Sequence, residues 1–542
     1  MNSPKGGGWG AFLVNLGLAL LGALLFAASF PNPVAINGVS LLGWFAFVPV
    51  FWVVYRSSLG SAVFFGALYG YAAYGLFNYW LGAFHPLAGL IVGSIYMVYG
   101  AVLFPLLKLA VLLFPRKGYI LQWLIWIAYE YLRTLGFLGY PYGIAGYSQW
   151  NNLPVIQIAN IFGVWGVSAL VVFPSAYLAA ALKDRRPLER IYPGFIRPVR
   201  AFLGREWAAG LVWAICLIGT LIYGFASRLD YEAVPRVRLA LVQHNTDPWR
   251  GGIAEYRRNF EVLKRLSLEA AAEDPGPDMV VWSETAFVPR IYWHSTFRDD
   301  PESWQLVREL LDFLETREEP YIIGNDDARR EIDASGRWER VDYNAVMLFE
   351  GRKNTQIYRK LRLVPFTEHF PYQKQLPWVY DMLEKADTHF WEKGDEATVF
   401  ETGGVKFSTP ICFEDTFGYL SRDFVRAGAE LIVNLSNDAW SKSQSAQMQH
   451  LSMAVFRAVE NSRSMARSTA SGQTCGIDPN GRILAMAEPF TESRLTVDLP
   501  VVSRNTLYTL WGDLWAQLFT AAALLMLILG IGRGILRRRR TR

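Results

Sequence analysis

The sequence predicts a chain of two parts, a bundle of transmembrane helices and an α/β layered domain. Apolar residues make up 52% of the 542 residues and charged residues only 19%, whereas a typical soluble domain has roughly 25% charged residues. The apolar residues are concentrated in long runs in the first part of the chain and in one run near its C-terminus. The stretch between them has a soluble composition and alternates β-branched runs with helical patterns, which is typical of a layered α/β sheet.

A helix needs about 20 apolar residues to cross the hydrocarbon core of a bilayer. Eight segments are predicted as spans, of which the second is short: 11–29, 41–55, 60–81, 89–114, 119–137, 162–182, 208–226 and 514–532. The predicted organisation is therefore a membrane part at 1–230, a soluble domain at 236–500, and a last span with a basic tail at 501–542.

The connections between the predicted spans alternate between basic and uncharged. The connections at 30–40, 82–88 and 138–161 contain no Lys or Arg. The other connections and the C-terminal tail contain Lys5, Arg56, Arg116, Lys117, Lys183, Arg185, Arg186, Arg190, Arg197, Arg200, Arg205 and Arg537 to Arg540. Because basic loops stay in the cytoplasm, seven spans place the soluble domain outside it, which in a bacterium is the periplasm. The net charge of +5 thus indicates membrane topology and not nucleic-acid binding.

Two ionisable residues lie at the outer end of the fifth predicted span, Glu130 and Arg133. Their i, i+3 spacing puts them on one helix face. A charge inside a span is costly and suggests a functional site. The alternative is a mutually satisfied pair that anchors the aromatic, uncharged loop at 139–150, which we expect in the outer membrane interface.

Elements of the soluble domain follow from hydrophobic periodicity. Strands are predicted at 237–243, 279–282, 321–324, 344–349, 405–412, 431–435 and 473–477. Helices are predicted at 253–273, 301–316, 416–427 and 446–465.

Candidate catalytic residues lie where predicted strands end. Glu284 follows one strand, and Cys412 ends another just before a predicted helix. A helix N-terminus lowers a thiol pKa, and the backbone N–H of Phe413 is placed to bind an oxyanion. Lys360 lies between these two residues in the chain. Each is weak evidence alone, since a lone Cys is usually a small buried hydrophobe.

The cysteine and histidine patterns argue against a metal site. The three cysteines, Cys216, Cys412 and Cys475, are too few for a disulfide framework. A single Cys412–Cys475 bridge remains open in an oxidising compartment. The six histidines are scattered, and neither a zinc motif nor a P-loop occurs.

Several motifs resemble those of the nitrilase superfamily: WSETA at 282–286, the stretch from Lys360 to Pro365 with Glu368, and ICFE at 411–414. Together with the spans, further motifs resemble the apolipoprotein N-acyltransferase family: LSNDAW at 435–440, RAVE at 457–460, RSTASG at 467–472 and the stretch 130–149.

This resemblance implies a nitrilase-type αββα sandwich on eight transmembrane helices. It implies that an acyl chain leaves a phospholipid, phosphatidylethanolamine in this family, and is held as a thioester. The acyl chain then passes to the α-amino group of a diacylglyceryl-cysteine at an apolipoprotein's N-terminus, without metal or cofactor. A family Trp implies that Trp249 lines the lipid site.

The residue types at positions 284, 360 and 412 suit acyl transfer. Cys412 is the expected nucleophile and Glu284 the expected general base. Lys360 and the Phe413 amide are expected to stabilise the oxyanion. Glu368 and Glu414 are expected to orient Lys360 and its loop.

The sequence departs from the family pattern at three places. Phe413 stands where Tyr is usual, Tyr142 where Trp is common, and Ser441-Lys442 where Phe-Gly is usual. Two aromatic stretches, 287–297 and 377–391, are candidate interfacial lids, with core aromatics under surface loops as the alternative.

Two other functions remain open at this point. A membrane-tethered amidohydrolase needs the same three residues and differs only in the final acceptor. A binding module that lost its chemistry would have to keep all three residues by accident.

Overall fold

The computed structural model describes residues 8–84, 86–183, 196–332, 336–385 and 389–540. It divides into two compact units. One comprises Met1–Arg228 with Trp511–Arg542, and the other comprises Leu229–Leu510.

The first unit is helical. Its helices are Gly8–Ser29, Ser40–Gly43, Val48–Arg56, Leu59–Phe77, Leu81–Phe84, Pro86–Leu113, Gly118–Leu132, Leu153–Ile156, Ala159–Leu182, Ile196–Ala226 and Leu514–Arg540, with a 3₁₀ turn at Ala145–Gln149.

Among the described residues, six helices are long and apolar enough to cross a membrane: Gly8–Ser29, Leu59–Phe77, Ala88–Leu113, Ala159–Leu182, Phe202–Ala226 and Leu514–Leu536. The other two predicted spans are shorter than expected. Residues 41–55 form two short helices, and the fifth span ends at Leu132 because its last residues turn into the following loop. The predicted count of eight is therefore approximate.

Glycines allow two of the long helices to approach closely. A Cβ atom at Gly66 would collide with the carbonyl oxygen of Gly100, and the reverse is also true. Small residues of this kind let helix backbones pack tightly in a membrane, where van der Waals contact replaces the hydrophobic effect.

The second unit contains twelve strands in its described part. They are β1 (Arg236–Gln243), β2 (Met279–Trp282), β3 (Tyr321–Ile332), β4 (Trp338–Glu350), β5 (Lys353–Arg359), β6 (Val399–Thr402), β7 (Val405–Ser408), β8 (Leu431–Ser436), β9 (Ser464–Thr469), β10 (Cys475–Ile477), β11 (Ile483–Met486) and β12 (Ser493–Pro500). They form two six-stranded sheets, ordered β12-β1-β2-β3-β4-β5 and β11-β10-β9-β8-β7-β6.

Helices cover the outer faces of these sheets. The helices of this unit are Ile253–Ala271, Ile291–Phe297, Pro301–Glu315, Pro377–Lys385, Gly418–Arg426, Gln444–Asn461 and Leu507–Trp511, with 3₁₀ turns at Cys412–Thr416 and Ala439–Ser441.

The two sheets face each other. The hydroxyl of Ser468 in β9 donates to the carbonyl oxygen of Val281 in β2 at 3.1 Å. On the outer side of the first sheet, Trp282 packs in one core with Phe260 and Leu306 from two covering helices. The layers therefore run helix, sheet, sheet, helix, which confirms the predicted αββα sandwich.

One strand prediction near the site was wrong. Strand β7 ends at Ser408, and Cys412 begins a 3₁₀ turn instead of ending a strand. Residues 409–411 are buried like the strand before them, and this is why the sequence suggested a longer strand. Their backbone pairs with a neighbouring strand only through an isolated bridge between Ile411 and Leu435.

Candidate active site

Glu284 lies directly beyond the end of β2 and is 8% exposed. Its Oε1 atom accepts hydrogen bonds from Asn344 Nδ2 at 2.9 Å and from Lys360 Nζ at 3.2 Å. Its Oε2 atom accepts the backbone N–H of Asn437 at 3.0 Å. Both oxygens are thus held by donors from three different chain segments, which fixes the carboxylate in one orientation.

Lys360 directly follows β5, and its side chain is fully buried. Besides Glu284, its ammonium group donates to Glu368 Oε1 at 2.7 Å. Burial lowers the pKa of Lys360, but the carboxylates of Glu284 and Glu368 outweigh burial and raise it well above its ordinary value. The ammonium group is therefore charged at any physiological pH.

Cys412 adopts a left-handed backbone conformation with φ +49°. Its thiol is close enough to Glu284 and Lys360 for both to act on its pKa. Burial and the negative charge of Glu284 raise that pKa well above its usual value, against the opposing effect of Lys360. The expectation of a thiol pKa lowered by a helix N-terminus is therefore wrong: Cys412 is the first residue of the five-residue 3₁₀ turn Cys412–Thr416, and its pKa is raised.

Glu414 organises the backbone around the nucleophile and Lys360. Its carboxylate accepts the N–H groups of Ile411, Leu361 and Arg362 at 2.7, 2.7 and 2.8 Å. The Tyr358 hydroxyl donates to the same carboxylate at 2.8 Å. Glu414 thus holds the segment after Lys360 against the turn that contains Cys412, and it is Glu368 that contacts the ammonium group directly.

The other predicted site residues differ in environment. Phe413 is 8% exposed and packs edge-on against Phe417, with ring centroids 5.0 Å apart. Trp249 lies in the loop after β1 and is 54% exposed. Cys412 and Cys475 are both free thiols, so they form no disulfide.

The two aromatic lid candidates also differ. In the first, Phe287 is a core residue, 1% exposed, whereas Tyr292 is 39% exposed. In the second, Trp378 and Met382 on the helix Pro377–Lys385 are 66% and 51% exposed. Residues 386–388 of the second stretch lie outside the described residues.

Sequence reasoning missed two groups that hold Glu284. The side chain of Asn344 comes from the middle of β4, and the main chain of Asn437 comes from the loop after β8. Asn437 belongs to the motif at 435–440, but its contact with Glu284 is made by the backbone N–H, which every residue except proline has, so residue type could not predict it.

In the membrane unit, Glu130 and Arg133 do not form the mutually satisfied pair that was the alternative to a functional site. Each forms hydrogen bonds with the loop that follows. Glu130 accepts the backbone N–H of Ala145 at 3.0 Å and a hydrogen bond from Ser168. Arg133 donates to the carbonyl oxygen of Tyr140 at 2.7 Å. Both residues therefore anchor the aromatic loop, as the same alternative expected.

Comparisons with known proteins agree with this architecture. A model of the apolipoprotein N-acyltransferase N-terminal domain matches residues 22–177, and a carbon-nitrogen hydrolase model matches residues 238–506. Apolipoprotein N-acyltransferase 1 of Treponema pallidum is 47% identical over 96% of this chain and 96% of its own length. The chain belongs to the apolipoprotein N-acyltransferase family.

Two further relatives from that family support the assignment. Apolipoprotein N-acyltransferase 1 of Treponema denticola is 44% identical, covering 95% of this chain and 96% of its own. The apolipoprotein N-acyltransferase of Geobacter metallireducens is 30% identical, covering 95% of each chain. The protein is thus an acyltransferase of the nitrilase superfamily and a multi-pass membrane protein, and not a binding module.

Proposed function

We propose that this protein transfers an acyl chain from a phospholipid, through a thioester on Cys412, to the α-amino group of the diacylglyceryl-cysteine of an apolipoprotein. The observation that supports this most directly is the Glu284 carboxylate. It is held by Lys360 at 3.2 Å and by the Asn437 amide at 3.0 Å, and its charge helps to raise the pKa of the half-buried Cys412 thiol, which favours the neutral form. A neutral thiol needs a base before it can attack an ester.

In the first half-reaction, Glu284 takes the proton of the Cys412 thiol, and the sulfur attacks the ester carbonyl carbon of the phospholipid. A carbon–sulfur bond forms, and the ester carbon–oxygen bond breaks. Glu284 returns the proton to the leaving alkoxide, so a lysophospholipid departs. Lys360 and the Phe413 amide stabilise the oxyanion, and one such donor typically contributes about 3 kcal/mol to lowering the barrier.

In the second half-reaction, the α-amino group of the acceptor attacks the thioester carbonyl. Glu284 takes a proton from the amine and passes it to the leaving Cys412 sulfur as the amide bond forms. The same base therefore serves both halves, and the kinetics are ping-pong.

The donor and acceptor are proposed from the family and from their chemistry. Both molecules carry acyl chains, and each buried CH₂ contributes about 0.8 kcal/mol to membrane retention. An enzyme acting on two such substrates needs membrane anchoring, which the long apolar helices of this chain supply. We propose phosphatidylethanolamine as the donor lipid.

We further propose that the protein resides in the bacterial inner membrane with the unit Leu229–Leu510 facing the periplasm. The distribution of Lys and Arg among the connections supports this orientation. Alkaline phosphatase, which is active only outside the cytoplasm, should be active when fused after Arg228 and inactive when fused after Arg56. The reverse pattern would overturn the orientation.

The helix Pro377–Lys385 is the better supported of the two lid candidates, because it exposes Trp378 and Met382. Replacing both residues with Ser should raise the KM for phospholipid vesicles and leave the acylation of Cys412 by a short water-soluble thioester unchanged. An unchanged KM for vesicles would exclude this helix as the lid.

The central experiment measures acyl transfer from a defined phospholipid to a diacylated lipopeptide. Wild type should form an acylated Cys412 detectable by mass spectrometry when no acceptor is present, and Cys412→Ala should transfer nothing. Cys216→Ala, at an exposed cysteine of the membrane unit, is the matched control and should be fully active. Release of free fatty acid without transfer would instead favour the amidohydrolase.

A further inference from the structure

Four charged side chains form a buried cluster beside the proposed nucleophile, and we call it the charge square. Asp415 lies in the turn Cys412–Thr416, Asp438 follows β8, His450 lies in the helix Gln444–Asn461, and Arg467 lies in β9. Each is at most 4% exposed. Burying four charged groups is costly unless each is paired with an opposite charge.

Each of the two cations bridges both carboxylates. His450 Nε2 lies 2.7 Å from Asp415 Oδ1, and His450 Nδ1 lies 2.9 Å from Asp438 Oδ1. The guanidinium group of Arg467 donates to the other oxygen of Asp415, and it reaches Asp438 Oδ2 at 3.4 Å. With both imidazole nitrogens facing carboxylate oxygens, the imidazole satisfies both contacts only when it carries two protons.

The two carboxylates belong to the two loops that hold the proposed reacting groups. Asp415 is three residues after Cys412 on the same five-residue turn. Asp438 follows Asn437, whose backbone N–H holds the Glu284 carboxylate at 3.0 Å. The turn that contains Cys412 and the loop that holds Glu284 are therefore linked through Asp415, His450 and Asp438.

Two further contacts couple Asp438 to the site. The hydroxyl of Ser436 donates to Asp438 at 3.1 Å and is also a hydrogen-bond partner of the Cys412 side chain. A Cβ atom at Gly472 would lie 2.8 Å from the Asp438 Cβ, so the backbone of Gly472 packs closely against Asp438. Asp438 is therefore tied to Cys412 through Ser436 and to the turn after β9 through Gly472.

Electrostatics agree with a doubly protonated imidazole. Burial lowers the pKa of His450, but Asp415 and Asp438 outweigh burial and Arg467 and raise it to about 9. The charges of the square also reach the nucleophile, since Asp438 and Arg467 both interact electrostatically with Cys412. With two carboxylates and two cations, the square is neutral as long as His450 keeps its proton.

We propose that His450 is a positioning residue for acyl transfer: its imidazolium holds Asp415 against Asp438 and thereby sets the Cys412 turn against the loop that orients Glu284. This role rests on the proposed functions of Cys412 and Glu284. His450 acts through Asp415 and Asp438, which its imidazole contacts at 2.7 and 2.9 Å.

The test uses the full-length protein in detergent and the substitution His450→Gln. The acylation of Cys412 by phospholipid should slow by roughly 10- to 100-fold, since small misplacements of reacting groups cost about this much, while the KM for phospholipid stays the same. Loss of the imidazolium leaves an uncompensated negative charge near the thiol. The pH midpoint for alkylation of Cys412 by iodoacetamide should therefore rise by about one unit.

The matched control is Arg257→Gln, which removes a cation paired with Glu309 at 2.6 Å elsewhere in the same unit. It should change neither the acylation rate nor the alkylation midpoint. If His450→Gln also changes neither, His450 is not a positioning residue.

If His450→Gln does not fold, the wild-type protein provides the test. The charged groups that act on His450 include Asp415 from the turn, Asp438 from the loop after β8 and Arg467 from β9. The acylation rate should fall reversibly as the pH rises through about 9, where His450 loses its proton. A rate that stays level to about pH 10 in folded protein would overturn the proposal.

Cys412→Ala distinguishes a failure of the proposed function from a failure of the positioning role of His450. If Cys412→Ala still transfers acyl chains, the proposed function itself fails. If Cys412→Ala is inactive and His450→Gln behaves like wild type, only the positioning role fails.

Discussion

The Nζ atom of Lys360 lies 3.2 Å from the Oε1 atom of Glu284, so the proposed base and the proposed oxyanion stabiliser form an ion pair before substrate binds. Glu368 shares the same ammonium group at 2.7 Å. The ammonium group of Lys360 therefore pairs with two carboxylates and joins the segment after β2 to the loop that contains Glu368.

Glu284→Gln should abolish acyl transfer, because an amide of nearly the same shape cannot accept the thiol proton. Burial, the largest cause of the raised pKa of the Cys412 thiol, remains in this variant, so few thiolates form unaided. Formation of acyl-Cys412 from phospholipid, followed by mass spectrometry, should drop by roughly 100-fold or more. Glu339→Gln, at an exposed position on β4, is the control. Full acylation in Glu284→Gln would exclude Glu284 as the base.

Lys360→Met should slow both half-reactions by roughly 100- to 1000-fold, the usual effect of removing one oxyanion donor. It also leaves Glu284 and Glu368 facing each other without a cation, so one of them takes up a proton. The rates of Cys412 acylation and of transfer to a lipopeptide measure the two steps separately. Lys353→Met, on the exposed start of β5, should be neutral. If only the second step slowed, Lys360 would not stabilise the first oxyanion.

Glu414→Gln should lower both stability and activity. Its carboxylate accepts three backbone N–H groups and the Tyr358 hydroxyl, whereas an amide turns an N–H₂ group toward some of these donors. Each buried donor left without a partner costs roughly 1–3 kcal/mol. Thermal unfolding of the full chain in detergent measures this loss, and Glu401→Gln on the exposed face of β6 is the control. Equal unfolding midpoints for the two variants would contradict the expectation.

The stability of the protein should fall at alkaline pH because of His450. Its pKa is raised to about 9 in the folded protein, above the roughly 6.5 of an unfolded chain. The stabilisation from this proton is therefore complete below about pH 6.5 and is lost as the pH rises through about 9.

The measurement compares wild type with His450→Gln between about pH 7 and about pH 10. The variant should unfold at a lower temperature at neutral pH, but its unfolding midpoint should fall less as the pH rises. If the unfolding midpoints of the two proteins fell in parallel as the pH rises, a group other than His450 would cause the loss of stability at alkaline pH.

Several features of this fold were predictable from local patterns. Long apolar runs predicted the membrane helices, because a bilayer demands a fixed length of apolar chain. Strand β2 was predicted with its exact ends, since four buried apolar residues precede Glu284. Strand β9 was missed: its buried polar residues, such as Arg467 and Ser468, continue the helical pattern before it, and the helix stops only where Ser462 turns left-handed at φ +50°.

By itself, the sequence determined the two-part organisation, the family and the candidate residues Glu284, Lys360 and Cys412, because apolar length and motif order are properties of the chain alone. The tertiary structure decided which groups hold them. The Asn437 amide on Glu284 and the bridge from His450 to Asp415 and Asp438 join segments far apart in the chain. The tertiary structure also decided the charge state of the thiol, because burial and neighbouring charges, not residue type, set a pKa.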